Sequence, residues 1–125
     1  MNEDPLRTSI LLVDDEPELL AVNQLLLSSL GHSVHTIPNG HDAVEYLKTH
    51  KADLVILDMV MPGMDGVATL KAIKAIKPDQ RVVILSAFAE KEKIDEVKGI
   101  GIHAYLQKPA TMKVLAEVIE SVMAP

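Results

Sequence analysis

The residues with the clearest chemical potential each lie shortly after an apolar run of the sequence. Asp14 and Asp15 follow the first of these runs, and Asp58 follows the second. Ser86 follows the third, and Lys108 comes after a later run that is less apolar. Carboxylates that gather at one place repel one another, so they either retain protons or surround a cation. Mg²⁺, a hard divalent ion that prefers oxygen ligands, is the natural partner for such a cluster.

The same residue types, brought together, suit the transfer of a phosphoryl group. A divalent ion neutralises an incoming phosphoryl oxygen, and a carboxylate can then attack phosphorus to form an aspartyl phosphate. The Ser86 hydroxyl and the Lys108 ammonium would contact the remaining phosphoryl oxygens and stabilise their charge from fixed positions. This chemistry requires that all of these side chains meet at one place in the fold.

The apolar runs predict the strands of a parallel sheet. Residues 10–13, 54–57 and 82–85 are continuously apolar, which is typical of strands that are buried on both faces. Residues 33–37 alternate between apolar and polar, as expected at the edge of a sheet, and residues 103–106 are assigned to a fifth strand. Ligands of such sheets bind beyond the carboxyl ends of the strands, where the candidate residues lie.

Between the strands, apolar residues recur at helical spacing and predict five helices. The fourth is the charged segment 90–98, and the third ends before Pro78. Strands and helices therefore alternate, which predicts a parallel sheet with helices on both faces and right-handed crossovers. The apolar positions that define the other four helices are Leu19, Leu20, Val22, Leu26, Leu27 and Leu30; Ala43, Val44 and Leu47; Val67, Leu70, Ala72, Ile73 and Ile76; and Val114, Leu115, Val118, Ile119 and Val122.

Composition and charge exclude several classes of protein. A length of 125 residues, of which 48% are hydrophobic, suits one compact domain with a substantial core. The net charge of −6, without a basic stripe, argues against direct binding of nucleic acid. The absence of cysteine excludes disulfides, thiolate zinc sites and cysteine catalysis.

Nothing in the sequence predicts an export signal or a membrane span. The polar residues 1–7 lack the basic start and the apolar stretch of a signal peptide, and we expect them to be flexible. No apolar run approaches the ~18 residues that cross a bilayer. The sequence therefore predicts one domain over residues 8–125, located in the cytoplasm and without a membrane partner.

Four motifs, each at the end of a predicted strand, give the chain a family resemblance. They are LVDDEP at 12–17, LDMVMPGMDG at 57–66, LSA at 85–87 and YLQKP at 105–109. Each motif alone is a weak signal, but all four in this order are very specific. Over residues 9–122 the chain resembles the receiver domains of two-component response regulators. The resemblance implies a flavodoxin-like fold, with a doubly wound, five-stranded parallel sheet in the order 2-1-3-4-5 and five helices.

The resemblance also implies how the acidic residues act. Asp58 is expected to accept the phosphoryl group. Asp15 and Asp58 would ligate Mg²⁺ (or Mn²⁺) directly, together with the backbone carbonyl of Val60. Asp14 would act mainly through a water bound to the metal.

Further residues match the family's motifs one by one. Ser86 and Lys108 would bind phosphoryl oxygens, and the Lys108–Pro109 peptide bond is expected to be cis. Tyr105 matches an aromatic residue that changes rotamer when Ser86 moves toward the phosphate; the alternative is an ordinary half-buried strand residue. Pro109 and Gly66 are expected to have structural roles, Gly66 in the turn before the third helix.

The function that the resemblance implies is switching in a phosphorelay. A sensor histidine kinase or a histidine phosphotransfer protein would donate the phosphoryl group to Asp58. The domain would assist its own phosphorylation and dephosphorylation without being a multiple-turnover enzyme. The added charge would alter the surface of the fourth helix, fifth strand and fifth helix, which would then control a downstream effector or form a homodimer.

The sequence leaves two other functions open. A Mg²⁺-dependent phosphohydrolase also acts through an aspartyl phosphate, but Val60 stands where such enzymes carry a second acid. A phosphorylation-independent interaction module on a receiver scaffold is the other alternative, and a failure to bind metal would favour it.

The apolar residues Val60 and Phe88 predict a long-lived phosphorylated state. In the family, polar residues at these positions can position the water molecule that hydrolyses the phosphoryl group. Both a stand-alone receiver and a part of a larger regulator are compatible with the sequence.

Overall fold

The computed structural model describes residues 8–61, 63–87 and 90–124, and the segment 1–7, predicted to be flexible, lies outside them. Five strands and five helices alternate along the described residues. None of these helices is long and apolar enough to cross a membrane. The strands are β1 (Ser9–Val13), β2 (Ser33–Ile37), β3 (Leu54–Leu57), β4 (Val82–Ser86) and β5 (Ala104–Gln107); the helices are α1 (Pro17–Ser29), α2 (Gly40–Thr49), α3 (Gly66–Ile76), α4 (Lys91–Ile100) and α5 (Met112–Met123).

The strands pair in parallel within one sheet, in the order β2-β1-β3-β4-β5. Ile10 of β1 pairs with Leu54 of β3, and Leu57 of β3 pairs with Ile84 of β4. Because the strands are parallel, their carboxyl ends share one edge of the sheet. The predicted flavodoxin-like fold and its strand order are confirmed.

The sheet divides the hydrophobic core into two layers. On one side, Val55 and Leu57 of β3 pack with apolar residues of α2, α3 and α4. On the other side, Leu54 and Ile56 of the same strand pack with apolar residues of α1 and α5. Burial on both faces is the reason why the central strands are continuously apolar in sequence.

Some residues that were predicted to lie in the core are exposed. In α1, Leu27 is buried, whereas Val22 is 53% exposed and the neighbouring Leu25 is 68% exposed. Ile76 in α3 and Val114 in α5 are exposed by 38% and 37%. Apolar residues are spread around α1, so their spacing does not single out the side of the helix that faces the sheet.

The predicted bounds of the fourth helix and the fifth strand also differ from those in the structure. The fourth helix, predicted over 90–98, spans Lys91–Ile100 and ends at Gly101. Gly101 has a φ of 125°, a conformation that favours glycine and ends the helix there. The fifth strand, predicted over 103–106, is Ala104–Gln107.

The start of α3 packs unusually close to the end of β3. A Cβ atom on Gly66 would lie 2.5 Å from Cα of Met59 and 2.7 Å from the carbonyl oxygen of Asp58. Both neighbours are backbone atoms, which cannot move without shifting the end of the strand. Glycine at this position therefore lets α3 approach the segment that carries Asp58.

We predict that Gly66→Ala lowers the free energy of unfolding by roughly 1–3 kcal/mol, the usual cost of overpacking. Gly99→Ala is the matched control, because Gly99 also lies in a helix and a Cβ there would meet nothing within 4 Å. That variant should be as stable as the parent or up to about 1 kcal/mol more stable. Urea unfolding measures both changes, and equal stability of the two variants would contradict the close approach.

Candidate functional site

The carboxyl ends of β1 and β3 bring four acidic residues together. Asp14, Asp15 and Glu16 follow β1, and Asp58 follows β3. One carboxylate oxygen from each of the four lies within 4.8 Å of the others. Asp14 and Asp58 are buried, Asp15 is half-buried and Glu16 is exposed. The structure thus assembles the three acids that the sequence predicts for the site and adds Glu16 to them.

Backbone hydrogen bonds between neighbouring strands continue one residue beyond the strand ends and fix the positions of Asp58 and Lys108. The N–H of Asp58 donates to the carbonyl oxygen of Val13 at 3.0 Å. The N–H of Lys108 donates to the carbonyl oxygen of Ser86 at 2.8 Å. Asp14 follows Val13 directly, and Val13 is in register with the residue before Asp58. Asp14 and Asp58 therefore leave neighbouring strands side by side.

The Lys108 ammonium lies among the carboxylates. Its Nζ is 2.5 Å from Oδ2 of Asp14, 3.3 Å from Oδ2 of Asp58 and 3.9 Å from Oε1 of Glu16. The side chains of Lys108, Asp14 and Asp58 are only 9%, 3% and 5% exposed. Charges so far removed from water are tolerated when they are paired, so Lys108 stabilises both inner acids.

Burial and neighbouring charges together shift the pKa values of Asp58 and Lys108. Burial raises the pKa of Asp58 above its usual range, and the charge of Asp14 adds to the effect. The Lys108 ammonium, with hydrogen bonds from Ser86 and the backbone of Val60, opposes this rise in the pKa without cancelling it. For Lys108, burial alone would lower the pKa, but its hydrogen bond to Asp14 and the charge of Asp58 raise it overall. Ionised Asp58 is therefore held at a cost in free energy, while Lys108 stays protonated.

Ser86 and Tyr105 connect Asp58 with the edge of the sheet. Ser86, the last residue of β4, is fully buried. Its hydroxyl lies near both the Asp58 carboxylate and the Tyr105 hydroxyl and lowers the pKa of each. Burial raises the pKa of Tyr105, and the nearby Ser86 hydroxyl partly offsets the rise. Ser86 thus links Asp58 at the end of β3 with Tyr105 of β5.

A groove of about 250 Å³ opens beside Tyr105, between the segment after β3 and the start of α4. Its wall is mostly apolar, and charged residues form part of its rim. The groove separates the loop beside Asp58 from α4, so these two parts are not tightly packed against each other. The residues that line it are Met59, Val60, Met61, Asp65, Val67, Glu90, Lys93 and Tyr105.

The remaining residues singled out in the sequence surround the acidic cluster. The backbone N–H of Val60 lies 3.4 Å from Oδ1 of Asp58, and the Val60 side chain is 49% exposed. The peptide bond between Lys108 and Pro109 is cis, as predicted. Phe88, which was expected to flank the site, lies outside the described residues.

The cluster has the ligand atoms that a hard divalent cation requires. It offers carboxylate oxygens only, with neither histidine nor cysteine among its members. Within the described residues, these four carboxylates share one close ammonium, that of Lys108. The set therefore carries an excess of negative charge and fits Mg²⁺ or Mn²⁺.

Glu16 is the member of the cluster without a predicted role. Its position is encoded in a simple feature of the sequence, since it is the third consecutive acid after β1. The structure shows that the turn after β1 keeps all three acids at the same edge, because the N–H of Glu16 donates to Oδ1 of Asp14 at 3.0 Å.

Comparisons with known proteins show the family to which the chain belongs. The family model of the response regulator receiver domain matches residues 10–120. The transcriptional regulatory protein ZraR of Salmonella typhimurium is 37% identical over 118 residues, which cover 94% of this chain and 27% of that protein. Sporulation initiation phosphotransferase F of Bacillus subtilis is 35% identical over 100 residues, which cover 80% of this chain and 81% of that protein. The chain thus spans about a quarter of the length of ZraR.

Solved structures show the same similarity. The chemotaxis protein CheY4 of Vibrio cholerae superposes with a TM-score of 0.86 at 25% identity, covering 93% of this chain and 98% of that one. A chain in the CheX–CheY–BeF3–Mg²⁺ complex from Borrelia burgdorferi superposes with a TM-score of 0.88 at 27% identity, covering 93% and 89%.

We predict that Asp58→Asn stabilises the protein in the presence of a chelator. Because burial raises the pKa of Asp58, the folded state disfavours the ionised carboxylate. This cost is absent at low pH, grows as the pH rises above the ordinary value of 3.8, and is complete above the raised pKa. Thermal unfolding should give the variant a higher Tm than the parent at neutral pH, with a difference that shrinks toward about pH 4.

Asp79→Asn is the control for this measurement, because Asp79 is an exposed acid far from the cluster in sequence. Its Tm should follow that of the parent at every pH, as is usual for surface substitutions. A Tm for Asp58→Asn below that of the parent at neutral pH would show that the ionised carboxylate stabilises the fold.

Proposed function

Because the chain belongs to the response regulator receiver family, we propose that Asp58 accepts a phosphoryl group from a sensor histidine kinase or a histidine phosphotransfer protein in the cytoplasm. Receiver domains are modules of phosphorelay signalling that work with kinases and effector domains. The observation that carries the proposal is the place of Asp58, a buried carboxylate at the carboxyl edge of the sheet. It contacts an ammonium and lies within 4.8 Å of three further acids.

In the proposed reaction Asp58 is the nucleophile. One of its carboxylate oxygens attacks the phosphorus of a phosphohistidine, and a new O–P bond forms as the P–N bond breaks. The electron pair of the broken bond stays on the histidine nitrogen of the donor. The Lys108 ammonium and the Ser86 hydroxyl, both already in contact with Asp58, bind the oxygens of the transferred group. The same contacts would assist the later hydrolysis that restores Asp58.

Receiver domains typically bind Mg²⁺ at an acidic cluster, and the cluster of this chain fits that ion. We assign Asp15, Asp58 and the backbone carbonyl of Val60 as direct ligands, and Asp14 as a residue that acts through a bound water. When bound, Mg²⁺ or Mn²⁺ supplies positive charge for the phosphoryl oxygens and offsets the repulsion among the acids. In support, the similar structure from Borrelia burgdorferi is a complex that includes Mg²⁺.

Phosphorylation would act on the surface formed by α4, β5 and α5. The new charge appears beside Ser86, whose hydroxyl lies near both Asp58 and Tyr105. A shift of Ser86 toward the phosphoryl group releases Tyr105, and the groove beside Tyr105 gives its ring space to turn. Helix α4 can follow at low cost, because Val97 is its one buried residue.

The rearranged surface would bind an effector or a second copy of the chain. Helix α5 already exposes apolar side chains there, with Met112 at 40% and Val114 at 37%. Apolar groups of this kind supply contact area in protein interfaces. A phosphorylation-dependent homodimer is therefore one of the two outcomes that we propose for the active state.

Intact-mass analysis after incubation with acetyl phosphate and Mg²⁺ tests the proposed acceptor. The parent should gain one phosphoryl group, and the gain should disappear when Mg²⁺ is chelated. Asp58→Asn should gain none, because the amide cannot act as the nucleophile. A folded parent that gains nothing would favour a phosphorylation-independent interaction module, and rapid continuous turnover of a small phosphoester would favour a phosphohydrolase.

We predict that Val60→Asn accelerates dephosphorylation of Asp58 several-fold. Val60 is 49% exposed beside the Asp58 carboxylate, and a polar side chain there can orient a water molecule for attack on phosphorus. Val22→Asn is the matched control, because Val22 is 53% exposed on α1. Decay of the phosphorylated mass over time measures both rates, and an unchanged rate in Val60→Asn would count against a water-positioning role for this position.

A further inference from the structure

Glu16 is the outermost acid of the cluster. Its backbone is held beside the inner acids by the hydrogen bond that its N–H donates to Asp14. Its side chain is 59% exposed, and its Oε1 lies 3.9 Å from Nζ of Lys108. The Glu16 carboxylate thus pairs with Lys108 on the side of the inner acids and remains exposed to solvent on its other side.

Lys108 and a divalent cation require the same carboxylate oxygens. Nζ of Lys108 contacts Oδ2 of both Asp14 and Asp58. Two cations that share such oxygens repel each other strongly where water is excluded. If Asp14 and Asp58 held a metal ion, the Lys108 ammonium would have to move away from these two acids. Among the three carboxylates that pair with Lys108 in the described residues, Glu16 is the one that the proposed metal site does not use.

We propose that Glu16 receives the Lys108 ammonium when a divalent cation occupies the inner carboxylates. This inference rests on the proposed metal-dependent phosphorylation of Asp58. Glu16 is a positioning residue, which holds Lys108 at the mouth of the site where the phosphoryl group arrives. The outer ion pair also offsets the loss of the two inner contacts and so favours metal binding.

Solvent limits the size of this effect. Because Glu16 is exposed, water and salt screen its attraction for Lys108, and exposed ion pairs are individually weak. We expect Glu16→Gln to weaken Mg²⁺ binding roughly two- to fivefold. The difference from the parent should shrink as the salt concentration rises.

Calorimetric titration of the full chain with MgCl₂ tests the inference, and a double-mutant cycle isolates the contribution of Lys108. Glu18→Gln is the matched control, since it removes an equal charge from the first turn of α1. Glu16→Gln should bind Mg²⁺ roughly two- to fivefold more weakly than Glu18→Gln. When Lys108 is replaced in both variants by Lys108→Met, their Mg²⁺ affinities should become equal.

An NMR measurement reports the arrival of the ammonium at Glu16. Addition of Mg²⁺ should shift the signal of the Glu16 side-chain carboxyl carbon in the parent. The shift should be nearly absent in Lys108→Met, because no ammonium is then displaced toward Glu16. A purely structural role of Glu16 would not make this signal depend on Lys108.

Equal Mg²⁺ affinities of Glu16→Gln and Glu18→Gln in the presence of Lys108 would overturn the inference. A difference that persists after Lys108 is replaced would also overturn it, since Glu16 would then act on the metal directly. Failure of the folded parent to bind Mg²⁺ would overturn the proposed metal site together with the role of Glu16. This last outcome can be told apart from the others because it is seen in the parent, without any change at Glu16. Urea unfolding of each variant checks that the variant is folded.

Discussion

The charge of the buried Asp58 carboxylate is the constraint on which the rest of the site depends. A side chain that is 5% exposed has lost most of its hydration, and the Lys108 ammonium at 3.3 Å compensates for this loss. Asp14 pairs with the same ammonium at 2.5 Å, so a single positive charge compensates two buried carboxylates. The compensation is incomplete, because burial and the charge of Asp14 together still raise the pKa of Asp58. The same deficit of positive charge makes the cluster receptive to a divalent cation.

The parallel sheet makes this arrangement possible because it collects polar groups at one edge. Along the central strands both faces are buried, so polar side chains find room only where the strands end. Asp58 follows β3 at the centre of the sheet, and Lys108 follows β5, with β4 between them. Lys108 is fixed at this distance by its backbone hydrogen bond to Ser86, the last residue of β4. A shift in strand register would therefore separate the ammonium from the carboxylate that needs it.

The central strands and their carboxyl ends were predictable from sequence, because burial on both faces of the sheet makes these strands continuously apolar. A continuous apolar run followed by an acid locates both a central strand and its carboxyl end, so the local sequence predicted that Asp58 lies at this edge of the sheet. Exposure of Val22 was not predictable, since α1 carries apolar residues around its whole surface and spacing does not select one side. The contact of Glu16 with Lys108 joins residues far apart in the chain and depends on side-chain direction. The close approach at Gly66 likewise follows from tertiary packing rather than from local propensity.

A single hydroxyl connects the charge at Asp58 to the shape of the distant surface. The Ser86 hydroxyl lies near both Asp58 and Tyr105 and lowers the pKa of each. An ionised carboxylate only accepts hydrogen bonds, so the one hydrogen of Ser86 suits Asp58, and Tyr105 can only donate to the Ser86 oxygen. In the proposed mechanism a phosphoryl group at Asp58 is the stronger acceptor and draws the Ser86 hydroxyl away from Tyr105. Tyr105 borders the groove against α4, a helix whose one buried residue is Val97. The charge added at Asp58 is thereby converted into movement of α4, the helix that is displaced at the lowest cost in free energy. A switch between two states requires such a coupling.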